Sequence, residues 1–237
     1  MVRRISKSEI AGALEQWRVG SLIKFVTQRV YAEQLIQGIP YLQAIDEFRS
    51  KEAGDGRSDA YEGLLTSFMS VGSSRAIYCM TALEDSNYQF FLQSKVGRRI
   101  KDEFSNRGAA VLIKDPVEFL LRFQEAEPEG INFGLVSYDG DIFEPDVALS
   151  KFKQAAGESP FHKNRVYEYQ HEFRIVTGHD CDIDFEQEDW DGVTHNVFNG
   201  YIPYQDLRLG SLDDIAELLT FQRTSIDNVK RRELNYV

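Results

Sequence analysis

The chain has 237 residues, 42% of them hydrophobic and 12% aromatic, so it can bury one large core or two small ones and is not of disordered composition. Its net charge of −11 excludes a broad basic face for wrapping nucleic acid and leaves room only for a local basic rim. Two distant cysteines, Cys79 and Cys181, exclude a disulfide framework. With an N-terminus that lacks an apolar signal core and no run long enough for a membrane span, the expectation is a cytoplasmic protein with no membrane partner.

Ile10, Leu14 and Trp17 share one face of a helix over residues 8–17, which Gly20 is expected to stop. SLIKFVTQ, centred on Lys24 and Phe25, predicts a strand. YAEQLIQG predicts a short helix with Gly38 in the stop position, and IPYLQAI an extended segment. FRSKEAGDGRSDAYEG is a long polar loop of the sort that carries sites. RAIYCMTAL predicts a strand, and NYQFFLQSKVGRRIKDEFSNRG a helix ending at Gly108. AAVLIKD predicts a strand stopped at Pro116, which then opens a helix over PVEFLLRFQEAE. INFGLVSYDG predicts a strand with a turn at Asp139 and Gly140, and residues 146–157 a short helix or loop.

RVYEYQHEFRIV, residues 165–176, predicts a further strand. CDIDFEQEDWDG is an acidic turn, and HNVFNGYIPYQDLRLG holds one more strand. SLDDIAELLTFQR predicts a helix capped by Ser211, with Asp214 in the box position and Leu212, Ile215, Leu218 and Leu219 along one side. Strands and helices mix without a βαβ rhythm, so the fold class is α+β in a single domain.

In the segment 165–176, strand alternation puts Glu168, Gln170, Glu172 and Arg174 on one face and Tyr167, Tyr169, His171, Phe173 and Ile175 on the other. On alternation alone the first face is solvated, with an ion pair between Glu172 and Arg174. The sharper alternative is a cleft whose carboxylate stabilises a developing positive charge. Alternate side chains sit about 7 Å apart along a strand, so two of them can hold different parts of one ligand.

RVYEYQHEFRIV resembles the Tyr-Glu-x-Glu-(Trp/Phe)-Arg-Ile segment of a family of uncharacterised bacterial and phage proteins. LIKFV, LIQGIPYLQAIDEFR, IYCMTALEDSN and YIPYQDLRLGSLDD resemble other segments of that family in the same order, and the match covers most of residues 21–219. That family is distantly similar to ADP-ribosyltransferases. The resemblance implies an N-terminal helix over 1–20 and an ADP-ribosyltransferase-like domain over 21–237, with split mixed or antiparallel sheets and flanking helices. It implies NAD as substrate, Glu172 as the catalytic carboxylate beside the nicotinamide-side ribose, and Gln170 as the residue that positions the acceptor. Glu168 offers a second framing of the upstream motif position.

The resemblance further implies that Lys24 meets the diphosphate or ribose, although relatives more often carry His or Arg there. By the same carry-over Thr81 supports the glutamate, Tyr31 and Tyr41 stack on nicotinamide, and Arg57 meets a phosphate. As side chains alone, the tyrosines read more readily as core aromatics, and Arg57 equally as an ion-pair partner of Asp55, Asp59 or Glu62. The implied function is a mono-ADP-ribosyltransferase, a toxin or phage-defence effector that modifies a protein or a nucleic acid, with an antitoxin as a candidate partner. Two alternatives stay open: NAD hydrolysis in the same pocket, and a binding module of the same fold without activity.

Other signals lead nowhere. GDGR lacks the spacing of a phosphate-binding loop. His179, Cys181, Asp182 and His195 lack the paired spacing of a zinc site, and the acidic run 180–191 lacks the glycine a calcium loop needs. KVGRRIK and KRREL, the two dense basic stretches, read as solvated helix faces.

Overall fold

A computed structural model describes residues 4–44, 64–66, 69–70, 76–84, 88–104, 108–128, 130–138, 159–161, 163, 165–177 and 207–221. Helix α1 (Lys7–Gln16) begins with a reciprocal cap: the Ser6 hydroxyl accepts from the Glu9 N–H, and the Glu9 carboxylate accepts from the Ser6 N–H. Its inner face carries Ile10 and Leu14, both buried in the main core. The left-handed residue that ends it is Arg18, at φ +56°, two positions before the glycine expected to do so.

Strand β1 (Ser21–Val26) leads into α2 (Arg29–Ile36), which stops at Gly38 with φ +81°. A Cβ there would sit 1.8 Å from the Gly210 carbonyl oxygen, so this crossing of two chain segments requires glycine. Beyond it come β2 (Gln43–Ala44), the small hairpin of β3 (Leu64–Thr66) and β4 (Met69–Ser70), and the long strand β5 (Ala76–Leu83). The stretch expected to form one helix before Gly108 forms two, α3 (Tyr88–Gln93) and α4 (Lys95–Phe104). The Ser94 hydroxyl at the break accepts from the Gly97 N–H. Strand β6 (Ala109–Ile113), helix α5 (Pro116–Ala126, capped by Asp115) and strand β7 (Ile131–Leu135) follow as expected.

Two further expectations fail. Residues 165–176 do not form one strand: Arg165–Gln170 coils into a 3-10 turn, and only Glu172–Thr177 extends, as β8. His171 between them takes φ +44°, a conformation histidine enters more readily than most residues. The second is the closing helix. Ala216–Thr220 is a strand, β9, that pairs with the outer edge of β6 over five register positions from Ala109↔Thr220 to Ile113↔Ala216. Leu212 and Ile215 are buried at a turn, and Ala216 and Leu219 on opposite faces of the strand, one in each core, so a turn plus a strand covered on both sides meets the same apolar spacing a helix would. Arg122 of α5 holds that turn, with guanidinium bonds to the Ser211 carbonyl at 2.6 Å and to Asp214.

Among the described residues the main sheet has seven strands, in the order β7-β8-β5-β1-β6-β9 with β2 also on β5, and every pairing is antiparallel. The fold is α+β. One face of the sheet carries Leu22, Tyr78, Met80, Val111, Phe173 and Ile175 into the main core, where α5 supplies Phe119 and Phe123. Each such side chain, fully buried, contributes roughly 1.5–3 kcal/mol. The other face buries Ile23, Phe25, Leu83 and Leu112 with Ile100 of α4. Strand β8 is therefore covered on both sides, and all six of its residues are buried.

Candidate functional site

The centre of the sheet parts. Strands β1 and β5 pair for three positions, Ser21↔Leu83, Leu22↔Ala82 and Ile23↔Thr81, and the ladder ends there. Past that point β1 continues along β6, while β5 continues along β8 and takes β2 at Ala76 and Ile77. Lys24 stands where the next ladder bonds would form. Its ammonium reaches across the opening to donate to the Cys79 carbonyl oxygen at 2.7 Å and lies 4.5 Å from the centre of the Tyr78 ring.

A cavity of about 450 Å³ occupies this opening. Leu35 and Tyr78 line it from one face of the sheet, Ile100 and Phe104 from the other, so it runs through the gap. Six of the residues expected to act at a site border it: Lys24, Tyr31, Tyr41, Thr81, Gln170 and Glu172. Tyr31 and Tyr41 are 45% and 61% exposed, which rules out their reading as core aromatics and places them at the mouth. Thr81 is buried and directly opposite Glu172 in the β5–β8 register. Arg57, with the rest of the GDGRSD loop, lies outside the described residues.

Glu172 is buried with both carboxylate oxygens engaged. Arg174 Nε donates to Oε1 at 2.6 Å, and Lys163 Nζ donates to Oε2 at 3.0 Å. The expected ion pair with Arg174 is thus present, but the solvated face is not: Arg174 is 1% exposed and also donates to the Pro160 carbonyl. Burial by itself would raise the Glu172 carboxyl. The charges of Arg174 and Lys163 outweigh it and hold the group well below the usual carboxylate range, so Glu172 is an anion. Burial and the Glu172 charge push the neighbouring Cys79 thiol up to about 12, which keeps it protonated and makes it a poor nucleophile.

Gln170 reaches the same place by a different route. The 3-10 turn and the left-handed step at His171 swing it back, and its Oε1 accepts from Lys163 Nζ at 2.9 Å. Its Nε2 contacts the Tyr169 hydroxyl at 3.3 Å, which in turn donates to Glu103 of α4 at 2.6 Å. Arg99 of the same helix stacks 3.5 Å from the centre of the Tyr169 ring. Glu168 faces solvent and meets Arg165, so Gln170 and not Glu168 borders the cavity. Tyr167 and Tyr169 do not join Phe173 and Ile175 on one apolar face: Tyr167 faces the Lys163 ammonium and Tyr169 packs with the second cluster.

Two residues of this arrangement carry no signal in strand alternation. Lys163 precedes Glu172 by nine positions, and only the turn between them makes it the common partner of both motif residues. Tyr138, beyond β7, accepts from the Glu172 N–H through its hydroxyl at 2.9 Å. Among the described residues no three His, Cys, Asp or Glu side chains gather as a metal site requires, and His179, Cys181, Asp182 and His195 lie outside them. Among the described residues no helix is long and apolar enough to cross a membrane. No family model, no curated protein and no solved structure matches this chain.

Proposed function

We propose that this protein is an NAD-consuming mono-ADP-ribosyltransferase, a toxin or phage-defence effector, with the opening between β1 and β5 as its NAD site. The observation that carries the reading is Glu172, an anionic carboxylate in the wall of the cavity with Gln170 beside it. Two further features support it. The parting of β1 and β5 gives one continuous sheet a cleft in which a ligand can lie, and a cavity of about 450 Å³ falls within the range of small-molecule sites.

The chemistry follows from the residue types. The bond from C1′ of the ribose to the nicotinamide nitrogen breaks, and nicotinamide takes the bonding pair and leaves neutral. The sugar becomes oxocarbenium-like, as in glycoside cleavage. A fixed carboxylate stabilises that cation more than the ground state. The acceptor then bonds to C1′ and releases its proton to solvent, with Gln170 orienting it and not competing as a base. Tyr31 and Tyr41 at the mouth offer flat surfaces for an aromatic ring.

One observation favours a second reading. Lys24 and Lys163 both border the cavity, so its wall presents ammonium groups to what enters it. Such a wall suits a phosphate-bearing ligand even without turnover, as in a binding module.

Replacing Glu172 separates the readings. With labelled NAD and a cell lysate as the source of acceptor, E172Q should lose nicotinamide release by about 100-fold or more, while calorimetry still detects NAD binding. Release in buffer alone would point to water as the acceptor. A wild type that binds NAD without releasing nicotinamide would establish the binding module and end the transferase reading.

A further inference from the structure

Glu172 and Arg174 already form a neutral buried pair. Burying a second cation beside that pair carries its own desolvation cost. Yet Lys163 is 5% exposed and borders the cavity, whereas Arg174 is not among the residues that line it. Its backbone is tethered, since the Lys163 N–H donates to the Ser137 carbonyl at 3.0 Å and the Ser137 N–H to the Phe161 carbonyl at 2.7 Å. The Tyr167 ring centre lies 4.9 Å from its ammonium. By claiming Oε1 of Gln170, the ammonium also turns the amide so that Nε2 faces Tyr169.

We propose that Lys163 is the positioning residue of this cavity: one ammonium, shared between Gln170 and Glu172, sets both side chains toward a single ligand. This rests on the reading of those two residues as the working pair. Lys163 adds no reacting atom of its own. It fixes which side of the Gln170 amide meets the acceptor, and it keeps the glutamate charged beside a sugar that becomes cationic.

Among the described residues, the charged and titratable groups that face Glu172 are Arg174 on its own strand, Cys79 on β5, Tyr138 beyond β7, and Lys163, with Lys24 of β1 acting on Cys79. Removing Lys163 leaves Arg174 and the Cys79 hydrogen bond to oppose burial, so the carboxyl must move up.

The test compares K163M and K163R with the wild type by two readouts. In the first, the Glu172 carboxyl carbon, assigned by its loss in E172Q, is titrated by NMR. In K163M the carboxyl should begin to protonate within the pH range where the protein stays folded, in which the wild-type signal does not move, and K163R should restore the wild-type behaviour. In the second, kcat for nicotinamide release should fall about 10-fold or more in K163M with KM little changed, and K163R should recover most of it. An unshifted carboxyl in K163M, or a K163R that shifts as far as K163M, overturns the proposal. If no preparation releases nicotinamide, the transferase reading fails while the NMR titration still decides the role of Lys163. Should K163M not fold, K163Q, neutral and hydrogen-bonding, is read in its place against the same two outcomes.

Discussion

The two ends of the β1–β5 pair are built from adjacent residues and do opposite things. At the closed end Leu22, Ile23 and Leu83 are buried in the two cores and the ladder holds the strands at hydrogen-bonding distance. One residue further on, Lys24 replaces a ladder bond with a side-chain bond to the Cys79 carbonyl, and the sheet opens. Polar groups then gather from elements far apart in the chain: Gln170 and Glu172 from either side of a left-handed residue, Lys163 from the segment before them, Thr81 from β5. A single sheet thus supplies both its rigid core and its cavity by ending one ladder early.

Substitutions at the two ends should separate these roles. The largest effect belongs to Arg174, which lies behind the open end. R174M leaves Glu172 and the Pro160 carbonyl without their guanidinium, and chemical denaturation should show a loss of about 3–5 kcal/mol. At the closed end, L22A empties a fully buried position of the main core and should cost about 3 kcal/mol in the same measurement. Nearby, K24M removes the part-buried bond to the Cys79 carbonyl and the ammonium over the Tyr78 ring. It should cost only about 1–2 kcal/mol, yet weaken NAD binding, a split between stability and binding that L22A, which does not line the cavity, should not show.

Acid sharpens the contrast further. The folded Glu172 carboxyl lies below its unfolded value of 4.5, so between the two the unfolded chain binds more protons. The stability this group contributes is therefore complete above about pH 4.5 and is lost as pH falls from there toward the folded value. Acid denaturation curves of E172Q should be flatter through that window than those of wild type.

Much of the scaffold is legible in the residues. Alternation and breakers locate β1, β5 and β6, apolar spacing locates α1 and Pro116 locates the start of α5, because those segments obey one local period each. SLDDIAELLTFQR misleads because Leu212, Ile215 and Leu219 fit a helical face, while the free edge of β6 offers Ala216–Thr220 a ladder, and tertiary pairing overrides the period. RVYEYQHEFRIV misleads differently. Its alternation is perfect in sequence, but a left-handed φ at His171 breaks the strand, and φ is not written in hydrophobicity. Glu172 and Gln170 still meet at the cavity, as do Lys24, Tyr31, Tyr41 and Thr81. Their convergence was readable only through the order of the motifs, and the place of Lys163 between them only through the turn.

The early end of the β1–β5 ladder has a mechanical consequence. The strands β7, β8 and β5 form one wing, the strands β1, β6 and β9 another, and in the sheet the spine joining them is three residue pairs wide. So narrow a spine resists torsion weakly, and any molecule lodged in the gap would brace one wing against the other. Slower amide exchange at Ile23 and Thr81, which face each other at the open end of the ladder, would then register occupancy whether or not a bond is ever broken there.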